Sequence, residues 1–116
     1  MATTETWYRG ATIKKLLTVV TDGEPRDLTT ATVELQVKAD LGAADPPLIA
    51  LAIGEGITLR DQTTDPGLAD IVISSEQTDG LTPGTYWFDV VAVFGSERYY
   101  VVEPTKVILA PVVNRR

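Results

Sequence analysis

The chain has 116 residues, 44% apolar and 22% charged, with 10 basic and 16 acidic side chains, no His and no Cys. That length suits one domain able to bury roughly two-thirds of its unfolded surface, and the two missing residue types exclude disulfides, Ser-His-Asp and Cys-His catalysis, and zinc, haem or iron–sulfur sites built on His or Cys. The net charge of −6 divides equally between the two halves, which leaves no basic tract and disfavours nucleic acid as a partner.

Taken from the N-terminus, residues 1–11 read as an arm, 12–110 as the folded domain and 111–116 as a C-terminal tail. The arm lacks the positive and apolar regions of a secretory signal. The longest apolar stretch, 46–54, is far short of the roughly 20 residues that cross a bilayer, so synthesis in the cytoplasm without a membrane partner is expected. Trp7 and Tyr8, followed by Arg9-Gly10, either dock on a neighbouring subunit or fold back over the open end of the domain.

Val, Ile and Thr together supply 36 of the 116 residues, a density of β-branched side chains that predicts an all-β class. Seven strands are expected at 12–21, 31–38, 48–53, 57–60, 70–74, 85–94 and 97–109, separated by turn signals such as Asp22-Gly23, Gly54-Glu55-Gly56, Asp65-Pro66-Gly67 and Gly95-Ser96. Alternation is clearest in the second strand, where Val33, Leu35 and Val37 share one face. The longest irregular piece, 39–47, reads as a mobile rim.

Ser74 and Gln77 have capping-box spacing, and Gly80 is placed to end the turn with positive φ, so 75–79 is expected to be one short helical turn crossing between sheets. Pro83-Gly84-Thr85-Tyr86 then matches a tyrosine corner, with Tyr86 bonding back to upstream backbone and Gly84 in the turn. Tyr86, Phe88, Val90 and Ala92 should point inward, and Trp87, Asp89, Val91 and Val93 outward. The pattern as a whole predicts an Ig-like antiparallel β-sandwich of about seven strands.

Exposed aromatics are the main candidate site. Trp87 should face out, and one of Tyr99 and Tyr100 on the neighbouring strand should join it, a composition suited to a protein interface. A plain structural aromatic pair and a sugar-stacking platform are the alternatives. Asp61, Asp65 and Asp70 share a loop region whose oxygens could suit Ca²⁺, but their spacing departs from the EF-hand, and ordinary turn chemistry explains them, as it does Asp22 and Asp27. Gly54-Glu55-Gly56 lacks the third glycine and the helix of a dinucleotide loop. No catalytic set, cofactor site or metal site is expected. Val112-Val113, ahead of Arg115 and Arg116, could add a strand to a neighbour's edge, or the tail could simply be a polar terminus.

The run Asp22-Gly23-x-Pro25-x-Asp27-Leu28-Thr29-x-Ala31-Thr32-Val33-x-Leu35-x-Val37, with Gly56-Ile57-Thr58-Leu59, Ile71-Val72-Ile73-Ser74-x-Glu76-Gln77-Thr78 and Leu81-x-Pro83-Gly84-Thr85-Tyr86, resembles small Ig-like proteins of phage and prophage tails. It is also similar to the N-terminal domain of phage baseplate upper proteins. The resemblance, over roughly residues 10–110, implies a non-enzymatic virion protein: a tail or baseplate component, or an adaptor for fibre or receptor-binding proteins. Its expected partners are other virion proteins and copies of itself in a symmetric assembly. A carbohydrate-binding module and a head decoration or head-fibre protein are the rival readings.

Overall fold

A computed structural model describes residues 4–42 and 46–114. Ala43, Ala44 and Asp45 of the expected rim, and Arg115 and Arg116 of the tail, lie outside the described residues. The strands are β1 (Glu5–Tyr8), β2 (Ile13–Thr18), β3 (Val20–Thr21), β4 (Glu24–Pro25), β5 (Thr32–Lys38), β6 (Ile49–Ile53), β7 (Gly56–Leu59), β8 (Leu68–Ile73), β9 (Gly84–Phe94) and β10 (Glu97–Ala110), with one helix, α1 (Ser75–Asp79). The all-β class holds, but ten strands among the described residues replace the expected seven, and the β1–β10 and β6–β7 ladders are parallel and not antiparallel. Eight strands form one sheet in the order β1-β10-β9-β5-β6-β7-β8-β2, curled until it is nearly barrel-shaped, while β3 and β4 form a separate hairpin.

Period-two alternation fills the interior. Val33, Leu35 and Val37 of β5 are buried, as are Phe88, Val90 and Ala92 of β9, and Tyr86 packs against the same core. The expected strand at 12–21 breaks at Val19, whose N–H donates to the Gly67 carbonyl (2.8 Å) and whose own carbonyl accepts from the Arg26 N–H (3.0 Å). Val19 therefore leaves the ladder to β8 and pins two loops together.

Gly67 sits inside that junction with φ +81°, and a Cβ there would lie 2.5 Å from the Val19 carbonyl oxygen. The neighbouring loop is held by one amide: Gln62 Oε1 accepts from the N–H groups of Leu28 and Gly67 (both 2.9 Å), and its Nε2 donates to the carbonyls of Arg60 (2.8 Å) and Leu68 (3.0 Å). Both donors and both lone pairs of that amide are used.

Residues 5–8 are a strand of the sheet and not a detached arm. β1 runs parallel to β10, Glu5 opposite Val107 through Tyr8 opposite Ala110, and the Arg9 N–H extends the pairing to the Ala110 carbonyl (3.1 Å). The next turn is latched to α1. Thr78, fully buried, accepts from the Gly10 N–H (3.1 Å) and donates to the Ala11 carbonyl (2.7 Å), and Arg9 Nε donates to the Asp79 carbonyl (3.0 Å).

α1 carries both bonds of the capping box, Gln77 N–H to Ser74 Oγ (3.2 Å) and Ser74 N–H to Gln77 Oε1 (2.9 Å). Gly80, however, has φ −72°, because the chain leaves the helix in right-handed geometry and closes it with the Leu81 N–H on the Thr78 carbonyl (3.3 Å). The positive φ expected there is absent. Two residues later the Tyr86 hydroxyl donates to the Thr82 carbonyl (2.5 Å), bracing the turn into β9, of which Gly84 is the first residue.

Both the Gly67 junction and the Tyr86 brace bear on stability. Gly67→Ala should lose more than about 2 kcal/mol through left-handed strain and the carbonyl clash, whereas Gly23→Ala, at φ +80° in open space, should lose only about 1 kcal/mol; equal shifts in the denaturant midpoint would contradict the close approach. Tyr86→Phe should lose roughly 0.5–1.5 kcal/mol, the net worth of one hydrogen bond, and an unchanged midpoint would remove its bracing role.

Candidate functional site

The predicted aromatics do not form one cluster. Trp7 is 3% exposed and packs on Phe88 (centroids 5.4 Å apart), with its Nε1 donating to Glu5 Oε1 (3.0 Å). As a core residue it offers no contact surface, because pairing with β10 turns alternate side chains of β1 inward. Tyr99, opposite Ala92, faces the same side as the core and meets Phe94 edge-on at 5.9 Å, where Arg26 lies over the Phe94 ring at 4.1 Å.

Tyr100 and Trp87 do share the outer face, but not as cross-strand neighbours. Tyr100 is opposite Val91, four residues or about 13 Å along the strand from Trp87. Trp87 stands between Lys106 of β10 and Lys38 of β5. Register shifts between Tyr100 and Val102 and between Val102 and Thr105 separate the two, with Pro104 in the irregular stretch and Thr105 Oγ1 bonded to the Glu103 carbonyl (2.7 Å).

What the outer face presents is two different surfaces. Near the chain termini, Tyr8 (55% exposed), Ile108 (42% exposed) and half-buried Trp87 form an apolar diagonal: Tyr8 opposes Ala110, Ile108 opposes Thr85, and Trp87 opposes Lys106. At the opposite end is a cleft of about 190 Å³. Val91 and Val93 of β9 form its floor with Asp89 at one end of the same strand, Thr32, Glu34 and Gln36 of β5 flank it on one side, and Arg98 and Tyr100 of β10 flank it on the other. Val91 is buried here, outside the core cluster.

Electrostatics set the cleft apart. Partial burial pushes the Asp89 carboxyl above its ordinary range, against the opposing pull of Arg98 and Lys38. Arg98 is held more firmly protonated by its hydrogen bond to the Tyr100 hydroxyl and by the fields of Glu34 and Asp89. The sequence offered a signal for this site that the aromatics obscured: Asp89 interrupts an otherwise apolar run from Tyr86 to Phe94.

The acidic residues of 61–70 are used otherwise. Asp70 takes a bidentate hydrogen bond from Arg60 (3.0 and 3.0 Å), and Asp61 accepts from the Thr63 N–H (2.9 Å). Among the described residues no three acidic side chains are gathered as a cation site. Asp27 caps its own turn, accepting from Thr29 N–H (2.8 Å) and Oγ1 (2.5 Å), which holds its carboxyl below the usual range. Asp22, at φ +53°, heads the Asp22-Gly23 turn of the β3–β4 hairpin.

No protein-family model matches the chain, and no curated protein matches it.

The raised Asp89 value carries a pH prediction. Ionisation of an acid whose folded value is raised opposes folding, so the cost is absent below the unfolded value, grows through the window between the two values and is constant above it. Asp89→Asn should therefore stabilise the fold at pH 7 and cease to do so near pH ~4, the ordinary carboxylate range. A pH-independent difference in unfolding midpoint would contradict it.

Proposed function

We propose that this chain is an Ig-like β-sandwich that serves as a non-enzymatic structural component of a phage tail or baseplate, an adaptor joining fibre or receptor-binding proteins to the virion. Divided at the two-residue β6–β7 ladder, the strand order gives a layer β1-β10-β9-β5-β6 and a layer β7-β8-β2, an arrangement compatible with a sandwich. The turn and strand pattern shared with small tail-associated Ig-like proteins supports the virion setting. A fold alone does not carry function, so the reading rests on a surface.

That surface is the Tyr8–Ile108–Trp87 diagonal. Three large apolar side chains in diagonal succession on the outward side of hydrogen-bonded strands are suited to a rigid protein contact, with lysines 38 and 106 at its polar margin. The partners are other virion proteins and further copies of this chain in a symmetric ring. The net charge of −6 disfavours nucleic acid as the partner.

Replacing both Tyr8 and Ile108 by Ser should leave the fold within about 1 kcal/mol of the parent, since both side chains are exposed, while preventing incorporation into tails assembled in the host. A folded double variant that enters particles at the parental copy number would overturn the contact assignment; parental protein found on heads and not on tails would overturn the tail setting.

A further inference from the structure

We propose that the outer-face cleft at Gln36, Asp89, Arg98 and Tyr100 binds one pyranose unit of an uncharged saccharide. The cleft is separate from the apolar diagonal and lies at the other end of the same face. Side-chain donors and acceptors ring a floor made by Val91 and Val93, which matches a sugar ring with an apolar C–H face and hydroxyls around its rim.

Hydrogen-bonding capacity in the cleft is unspent. Among the described residues no side-chain hydrogen bond joins Glu34, Gln36 or Asp89 to another residue, although Gln36 and Asp89 are half-buried. Such groups gain from a ligand that carries both O–H donors and oxygen acceptors, because each hydroxyl can meet a carboxylate with its proton and an amide N–H or guanidinium with its lone pairs.

Charge explains why the ligand is neutral. Glu34 and Asp89 both act on Arg98, and Lys38 adds its field at Asp89, so two carboxylates are met by two cations at the cleft. An ammonium or a carboxylate ligand would compete with that balance, whereas a polyol uses the same side chains as hydrogen-bonding groups. Size points to one ring: about 190 Å³ is below the roughly 300–1,000 Å³ of drug-sized sites. The open outer face would let a longer chain continue beyond that ring.

The test is a titration of ¹⁵N-labelled protein with glucose, galactose, N-acetylglucosamine and rhamnose, then with cellohexaose and maltohexaose, and with the dipeptide Lys-Gly as a charged control. The expected result is saturable shifts of the Gln36, Asp89 and Val91 amides with at least one saccharide at a dissociation constant of about 1 mM. Gln36→Ala and Asp89→Ala should each weaken that binding about ten-fold while remaining folded, and Tyr8→Ser should leave it unchanged. Free sugars acting as well as hexamers would place recognition in the single ring, and hexamers acting alone would place it within a polymer. Silence with all six saccharides, shifts centred away from the cleft, or tighter binding of Lys-Gly would overturn the proposal, and none of these would touch the assembly experiment above.

Discussion

A four-residue parallel ladder ties the start of this chain to its last strand, and much of the remaining architecture depends on it. Pairing Glu5–Tyr8 with Val107–Ala110 directs Trp7 onto Phe88 and Glu5 toward Lys15. Lys15 is on β2, at the opposite end of the strand order, so the Lys15–Glu5 ion pair (2.6 Å) bridges the two edges of a sheet that does not close by backbone hydrogen bonds. The Trp7 indole N–H reaches the same carboxylate, and the Lys15 ammonium lies 5.3 Å from the Phe88 ring centre. An indole, a carboxylate and an ammonium thus join strands that backbone groups leave apart.

The same ladder organises the turn that follows. Because β1 is fixed, Gly10 and Ala11 arrive at Thr78, whose hydroxyl is the buried link between the N-terminal turn and α1. α1 leads through Leu81 to the Tyr86 brace and so into β9, the central strand of the outer face. An inward-facing lysine on edge strand β2 has a second effect. It discourages the addition of a foreign strand at that edge, as inward-pointing charges do.

Local chemistry was legible in the sequence, and distant pairing was not. The alternation of Val33, Leu35 and Val37, the Ser74–Gln77 capping box and the Asp22-Gly23 turn all depend on residues within a few positions of one another, and all are present. β1 escaped because four residues, two of them Glu5 and Thr6, have no pattern of their own; they become a strand through a partner about a hundred residues away. Which tyrosine faces out was fixed by register and bulges in β10, and the Gln62 hub joins residue 28 to residue 67 in a way no spacing rule anticipates. For the outer cleft, the visible clue was Asp89. Its meaning required the flanking strands that set Gln36 opposite it and bring Arg98 into the same cleft.

The N-terminal segment belongs to the core, and Tyr8 faces outward because Trp7 faces inward. The chain has two tryptophans, so Trp87→Phe leaves Trp7 as the sole reporter. In the folded variant Trp7 should emit with the blue-shifted maximum of a buried indole, resist quenching by acrylamide, and shift to the red only in the global unfolding transition. Red-shifted, freely quenched emission from the folded variant would contradict the account, because it would mean that β1 is not seated on β10.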